Sequence, residues 1–192
     1  MNDSVKHFFS RYGYFFGLGL GVIALVLILL IAASNKVPTV QENRDYTPVS
    51  APVITFSNPV KEVNLLKGYS NSALQYNSTL KLWQAHKAID FSAEEGTDVL
   101  AVMDGKVKEV TYNYMLGNIV KLDVGGGIVV VYASLQSDVP VKVGDTVKKG
   151  SVIGKVGTTA KSEASDGPHL HLEVWLNDQN VDPNLYLDLA EK

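Results

Sequence analysis

The sequence predicts a mostly β domain, an antiparallel β-sheet or sandwich, carried behind one N-terminal transmembrane helix. Three observations predict it. Residues 12–35 contain no charged side chain, and residues 22–33 are almost wholly aliphatic. Further on, short runs rich in Val, Ile and Tyr recur at residues 99–102, 106–111, 118–123, 128–133, 152–156 and 169–176. Gly and Asp punctuate these runs, as at Asp104-Gly105, Gly125-Gly126-Gly127, Gly144-Asp145, Gly150 and Gly157. Strands at that spacing argue for antiparallel sheet. No window after the helix carries a convincing 3.6-residue apolar period.

A chain of 192 residues has room for one ordinary domain and an appendage. Its net charge of −3 offers no phosphate-binding surface, so nucleic acid is not an expected partner. The absence of cysteine excludes disulfides and any thiolate metal site.

Taken in order, residues 1–13 read as a short cytoplasmic tail and residues 14–34 as the transmembrane helix. About 20 apolar residues suffice to cross a bilayer. Tyr12 and Tyr14 stand where aromatic rings favour the lipid–water boundary, and glycines such as Gly17, Gly19 and Gly21 are common in such spans. Ala32-Ala33-Ser34 would suit signal cleavage, but the apolar stretch outruns a signal core of roughly 7–15 residues, so an uncleaved anchor is expected. Lys6 and Arg11 before the span and Lys36 and Arg44 after it give little orientation bias. A short leading tail has no room for a domain, so the later part is the one expected to be exported. Residues 35–59, with Pro38, Pro48, Pro52 and Pro59, read as an extended tether. Residues 60–187 form the β domain, with only loose strands over 60–82, and residues 188–192 a tail.

The chemistry lies in two histidine clusters. His169, His171 and Glu173 alternate with Leu170, Leu172 and Val174, so both histidines project from one strand face, about 7 Å apart at the backbone. His86 and Asp90 would be about 13 Å apart on a straight strand, so both reach one metal only if the chain bends between them. Neutral imidazole and carboxylate suit zinc, and catalytic zinc keeps three protein ligands plus water. Four candidate groups leave one histidine free to take a proton from that water.

The segments HKAIDFSAEEGTDVLAVMDGKV, VKVGDTVKKGSVIGKVGTT and GPHLHLEVW closely resemble the lysostaphin/LytM-type zinc metallopeptidases, which cut peptide cross-bridges in peptidoglycan. The resemblance runs over residues 60–187. It implies a LytM-type sheet with a substrate groove, zinc on His86, Asp90 and His171, and His169 as a catalytic histidine. Active members carry a second catalytic histidine in a Tyr-x-His-Leu segment, where this chain reads Tyr132-Ala133-Ser134-Leu135. Ser134 can donate a hydrogen bond but cannot carry positive charge near neutral pH. The anchor, the tether and Ser134 together are similar to a sporulation branch of the family. That branch implies a domain facing the intermembrane space of a forespore, bound to a partner like stage III sporulation protein AH. Peptidoglycan is the partner that an active enzyme would imply.

Other features take plainer readings. Gly125-Gly126-Gly127 lacks the following Lys and Ser/Thr of a phosphate loop and reads as a hairpin turn. Lys142, Lys148, Lys149 and Lys155 read as solvated edge charges, and Trp83 and Trp175 as core. Glu173 could orient a ligating imidazole. Residues 161–167, rich in Ser and Asp, read as a flexible loop beside the groove. A lipoyl- or biotin-carrier barrel would share the MDGKV texture, but no modifiable hairpin-tip lysine is visible.

Overall fold

A computed structural model describes residues 3–34 and 54–187, which belong to two separate compact units. The first is helix α1, Asp3–Ser34. Its segment Ser10–Leu30 is long and apolar enough to cross a membrane, with mean hydropathy 2.5 and no burial against protein. Helical geometry begins at Asp3, ahead of the apolar span, because extending a formed helix costs far less than nucleating one. Residues 35–53, most of the tether read from the sequence, lie outside the described residues.

The second unit is mostly antiparallel β-sheet. Its strands are β1 (Leu65–Lys67), β2 (Ser70–Asn77), β3 (Leu82–His86), β4 (Ile89–Ser92), β5 (Asp98–Leu100) and β6 (Gly105–Asn113). They continue with β7 (Gly117–Gly125), β8 (Ile128–Leu135), β9 (Thr146–Val147), β10 (Val152–Lys155), β11 (His169–Leu176) and β12 (Gln179–Val181). The main sheet runs β1-β4-β11-β8-β7-β6-β9, with β12 also on β11; β5–β10 and β2–β3 are separate two-stranded sheets. Long neighbours β6, β7 and β8 are joined by short turns, and the triple glycine makes the β7–β8 turn with all three residues at positive φ.

Alternation on these strands gives the main sheet two unlike faces. One face buries Ile89, Phe91, Val120, Leu122, Val130, Tyr132, Leu170 and Leu172, covered by Val99, Ala101, Val102, Ile153 and Val156 from the β5–β10 side. The opposite face carries a small cluster of Ile119, Val131 and Ala133 with Leu116 and Trp175 against it. The domain reaches back beyond residue 60. Phe56 is buried, stacks on Tyr186 at 5.0 Å and pairs in parallel with Leu187.

Two sequence expectations fail. Trp83 is 66% exposed rather than core, because β2–β3 stands outside the main sheet; its ring lies tilted against Tyr76, centroids 5.5 Å apart. Residues 161–167 are not a loose loop. Lys161–Asp166 forms a 3₁₀ segment broken at Glu163, whose φ of −131° and ψ of 22° are not helical. The polar side chains that suggested flexibility are spent on fixing it. Ser162 Oγ donates to Met115 O at 2.7 Å, Asn77 Nδ2 donates to Ser162 O at 3.0 Å, and Ser165 N–H donates to Thr79 Oγ1 at 2.9 Å. Asp166 pairs with Lys67. On the β6–β7 side the approach requires Gly117, at φ +77°, where an added Cβ would meet Thr159 Oγ1 at 2.0 Å.

Tyr132 ties the core face to its cover. It is fully buried, and its hydroxyl oxygen accepts from Val102 N–H at 3.0 Å. Tyr132→Phe keeps the ring and strands that N–H, which costs about 1–3 kcal/mol. Denaturant titration of the whole chain in detergent should show a lower midpoint with an unchanged slope.

Candidate metal centre

The centre forms where three elements converge on the end of the open sheet face. In the β4–β11 ladder Asp90 pairs directly with His171, and His169 with Ser92. Paired residues project to the same face, so the alternation that buries Phe91, Leu170 and Leu172 turns Asp90 and His171 the other way. His86 arrives from β3, which belongs to the separate β2–β3 sheet. The chain must therefore turn between His86 and Asp90, as their spacing demanded. Ala88 is buried at that turn, and Asn180 Nδ2 holds it by donating to Lys87 O at 2.9 Å.

Each imidazole is oriented from behind. His86 Nδ1–H donates to Gly68 O at 3.0 Å, leaving Nε2 toward the centre. His171 is turned the other way about: Nε2–H donates to Glu173 Oε1 at 3.2 Å, and Nδ1 faces inward. Glu173 is itself fixed by Trp175 Nε1–H at 2.6 Å. Inside, His86 Nε2 lies 3.1 Å from Asp90 Oδ2, and His171 Nδ1 lies 2.9 Å from Asp90 Oδ1. These facing atoms, His86 Nε2, both Asp90 oxygens and His171 Nδ1, are buried and have no hydrogen-bond partner. Buried polar atoms are nearly always partnered. Two ring nitrogens and a carboxylate turned on one another at these distances fit a divalent cation.

Sequence reasoning missed one member. Glu163 is buried, with Oε1 at 3.5 Å from His86 Nε2 and Oε2 at 3.2 Å from His171 Nδ1. Among the described residues, His86, Asp90, Glu163 and His171 form the group able to hold a metal ion, with one donor atom each within 4.8 Å of the others. His169 stands behind it. Its Nδ1–H donates to Gly167 O at 2.8 Å, and Nε2 lies 3.4 Å from Glu163 Oε2. Ser134 is elsewhere: buried, at φ +62°, with its hydroxyl toward Gly157 O at 3.5 Å. A cleft of about 520 Å³ on the open face is lined by Glu173, which holds His171 from its outer side, and by Trp175, Tyr112, Lys121 and Lys108.

Burial opposes every charge here, and opposite charges overcome it. Burial favours a neutral His86, but the Asp90 and Glu163 carboxylates outweigh it and raise the pKa to about 9. The same contest, against Asp90, Glu163 and Glu173, raises His171 well above its ordinary value. Burial would also raise Asp90 and Glu163, yet the surrounding imidazoles hold both below the usual carboxylate range. Two buried carboxylates thus demand positive charge, from protons or from a cation.

The model of peptidase family M23 matches residues 84–183. Stage II sporulation protein Q of Bacillus subtilis is 33% identical over 165 residues, covering 82% of this chain and 56% of that protein. The chain spans between a fifth and somewhat over half the length of the curated relatives it matches. Among solved structures, the SpoIIQ–SpoIIIAH pore forming complex matches with TM-score 0.61 and 28% identity, over 71% of this chain and 92% of that one. The catalytic domain of the antimicrobial peptidase lysostaphin from Staphylococcus simulans matches with TM-score 0.53 and 32% identity, over 64% and 90%.

Folded His86 binds its proton more tightly than the unfolded chain does. In metal-free protein its contribution to stability is complete below pH 6.5 and lost as pH rises through about 9. Thermal melts of the whole chain in detergent with EDTA should show Tm falling across that window. His86→Gln should flatten the fall; a wild-type Tm level from pH 6.5 to 9.5 would contradict it.

Proposed function

The chain belongs to peptidase family M23, and on that premise we propose that it is a membrane-anchored, zinc-binding module of impaired catalysis that holds a partner across an extracytoplasmic gap during endospore formation. One observation carries this reading. The match to stage II sporulation protein Q covers 82% of the chain, more than the β domain alone can supply, so it extends into the anchor or tether. A hydrolytic likeness would need no such extension. In this role α1 sits in the forespore membrane, the domain faces the intermembrane space, and the partner resembles stage III sporulation protein AH in the mother-cell membrane.

Zinc would be held by His86 Nε2, Asp90 and His171 Nδ1, the inward atoms left without hydrogen bonds. A zinc ion bound there supplies Lewis acidity and lowers the pKa of a bound water. The chain's own part in hydrolysis would fall to His169, which must take a proton at Nε2, and to a second donor beside the developing oxyanion. Ser134 stands at the place of that donor in sequence, and its hydroxyl is turned to Gly157. Losing one such donor costs about 3–4 kcal/mol, or roughly 10²–10³ in rate. A second reading, an active endopeptidase cutting peptidoglycan cross-bridges, is favoured by the intact His86, Asp90 and His171 set and by the likeness to lysostaphin.

The whole chain in detergent should bind about one zinc per molecule, and His86→Ala and His171→Ala should each abolish binding. Full occupancy in both variants would defeat the ligand assignment. Incubated with purified sacculi, the wild type should release no soluble fragments. Release by the wild type would favour the endopeptidase reading, whereas release by Ser134→His alone would support the impaired one.

A further inference from the structure

Catalytic zinc keeps three protein ligands and leaves a position for water, whereas structural zinc is closed by four. The carboxylate of Glu163 faces the same two ring nitrogens that Asp90 faces. Bonds of about 2.0–2.1 Å set tetrahedral ligand atoms about 3.3–3.5 Å apart. Glu163 Oε1 is 3.5 Å from His86 Nε2 and Oε2 is 3.2 Å from His171 Nδ1, just as Asp90 Oδ2 and Oδ1 lie 3.1 Å and 2.9 Å from the same two nitrogens. One donor atom from each of the four residues lies within 4.8 Å of the other three.

We propose that Glu163 is a fourth protein ligand, which occupies the water position and makes the zinc site of this chain a closed, structural one. This rests on the reading of His86, Asp90 and His171 as zinc ligands. Charge supports it. Two carboxylates and two neutral imidazoles balance a divalent cation within the ligand set, which lessens the desolvation cost of an unbalanced ion. With three ligands only, that balance would need a bound hydroxide.

Placement supports it independently. Glu163 is delivered by the segment that Ser162, Asn77, Met115, Thr79 and Ser165 hold in place, and its own non-helical dihedrals break the 3₁₀ turn there. His169 then acts on the carboxylate from behind, with Nε2 at 3.4 Å from Oε2 and Nδ1–H tied to Gly167 O. It is a positioning residue for the fourth ligand, as outer carboxylate–histidine contacts are in other metal centres.

Cobalt(II) replaces zinc and reports its coordination in visible absorption, and azide is the probe for an open position. The cobalt spectrum of the whole chain in detergent should be unmoved by azide. Glu163→Ala should become azide-responsive and lose at least tenfold in zinc affinity, measured against a chromophoric chelator. A wild-type cobalt spectrum that shifts with azide overturns the proposal and leaves the three-ligand reading intact; this arm needs no variant to fold. Affinity of Glu163→Ala within twofold of wild type also overturns it. A wild type that binds no zinc overturns the proposal together with the reading beneath it, and that failure is distinguished by the absence of any metal.

Discussion

Asp90 and His171 occupy one rung of the β4–β11 ladder, and this pairing fixes nearly everything else. Strand side chains alternate with a period of two, so slipping the register by one residue would drive Asp90 and both histidines into the core and push Phe91 and Leu172 out. Burial of Phe91, Leu170 and Leu172 at zero exposure holds the register. The polar centre is therefore secured by the apolar residues between its members. Hydrophobic packing on one side of the sheet supplies the precision of the chemistry on the other.

The centre gathers more negative charge than a buried place tolerates unaided. Asp90, Glu163 and Glu173 meet His86, His169 and His171 in a space that water barely reaches. Such a cluster persists because each carboxylate has an imidazole or a cation to face, and because backbone carbonyls at Gly68 and Gly167 decide which ring nitrogen turns inward. Preorganisation of this kind serves metal affinity whether or not a bond is cut. Turnover depends in addition on an open position and on a second donor, the two features that the proposed role of Glu163 and the serine at position 134 bear on.

The sheet was legible because its strands announce themselves locally. Residues 118–123, 128–133 and 169–176 are short apolar-rich runs, strictly alternating over 169–174, and glycines punctuate the stretches between them. The two histidine clusters could be read for the same reason, since each sits on or beside a recognisable strand. Glu163 could not. It is an isolated acid in a serine-rich stretch without periodicity, and its burial is imposed by Asn77, Thr79 and Met115, partners remote in sequence. Trp83 misled in the opposite direction: a large aromatic suggests a core, but the β2–β3 pair has no sheet to lean against on that side. Local pattern records what a strand prefers, while tertiary neighbours decide which loops become rigid.

The turn at Lys87 and Ala88 has a mechanical meaning. His86 rides on the outlying hairpin, and Asp90 on the main sheet. An ion gripped by both would rivet one sheet to the other across a joint otherwise made of loop and a few hydrogen bonds. For a hydrolase such a rivet is incidental to chemistry. For a protein whose work is to bear load between two membranes, it would convert a hinged outrigger into part of the frame.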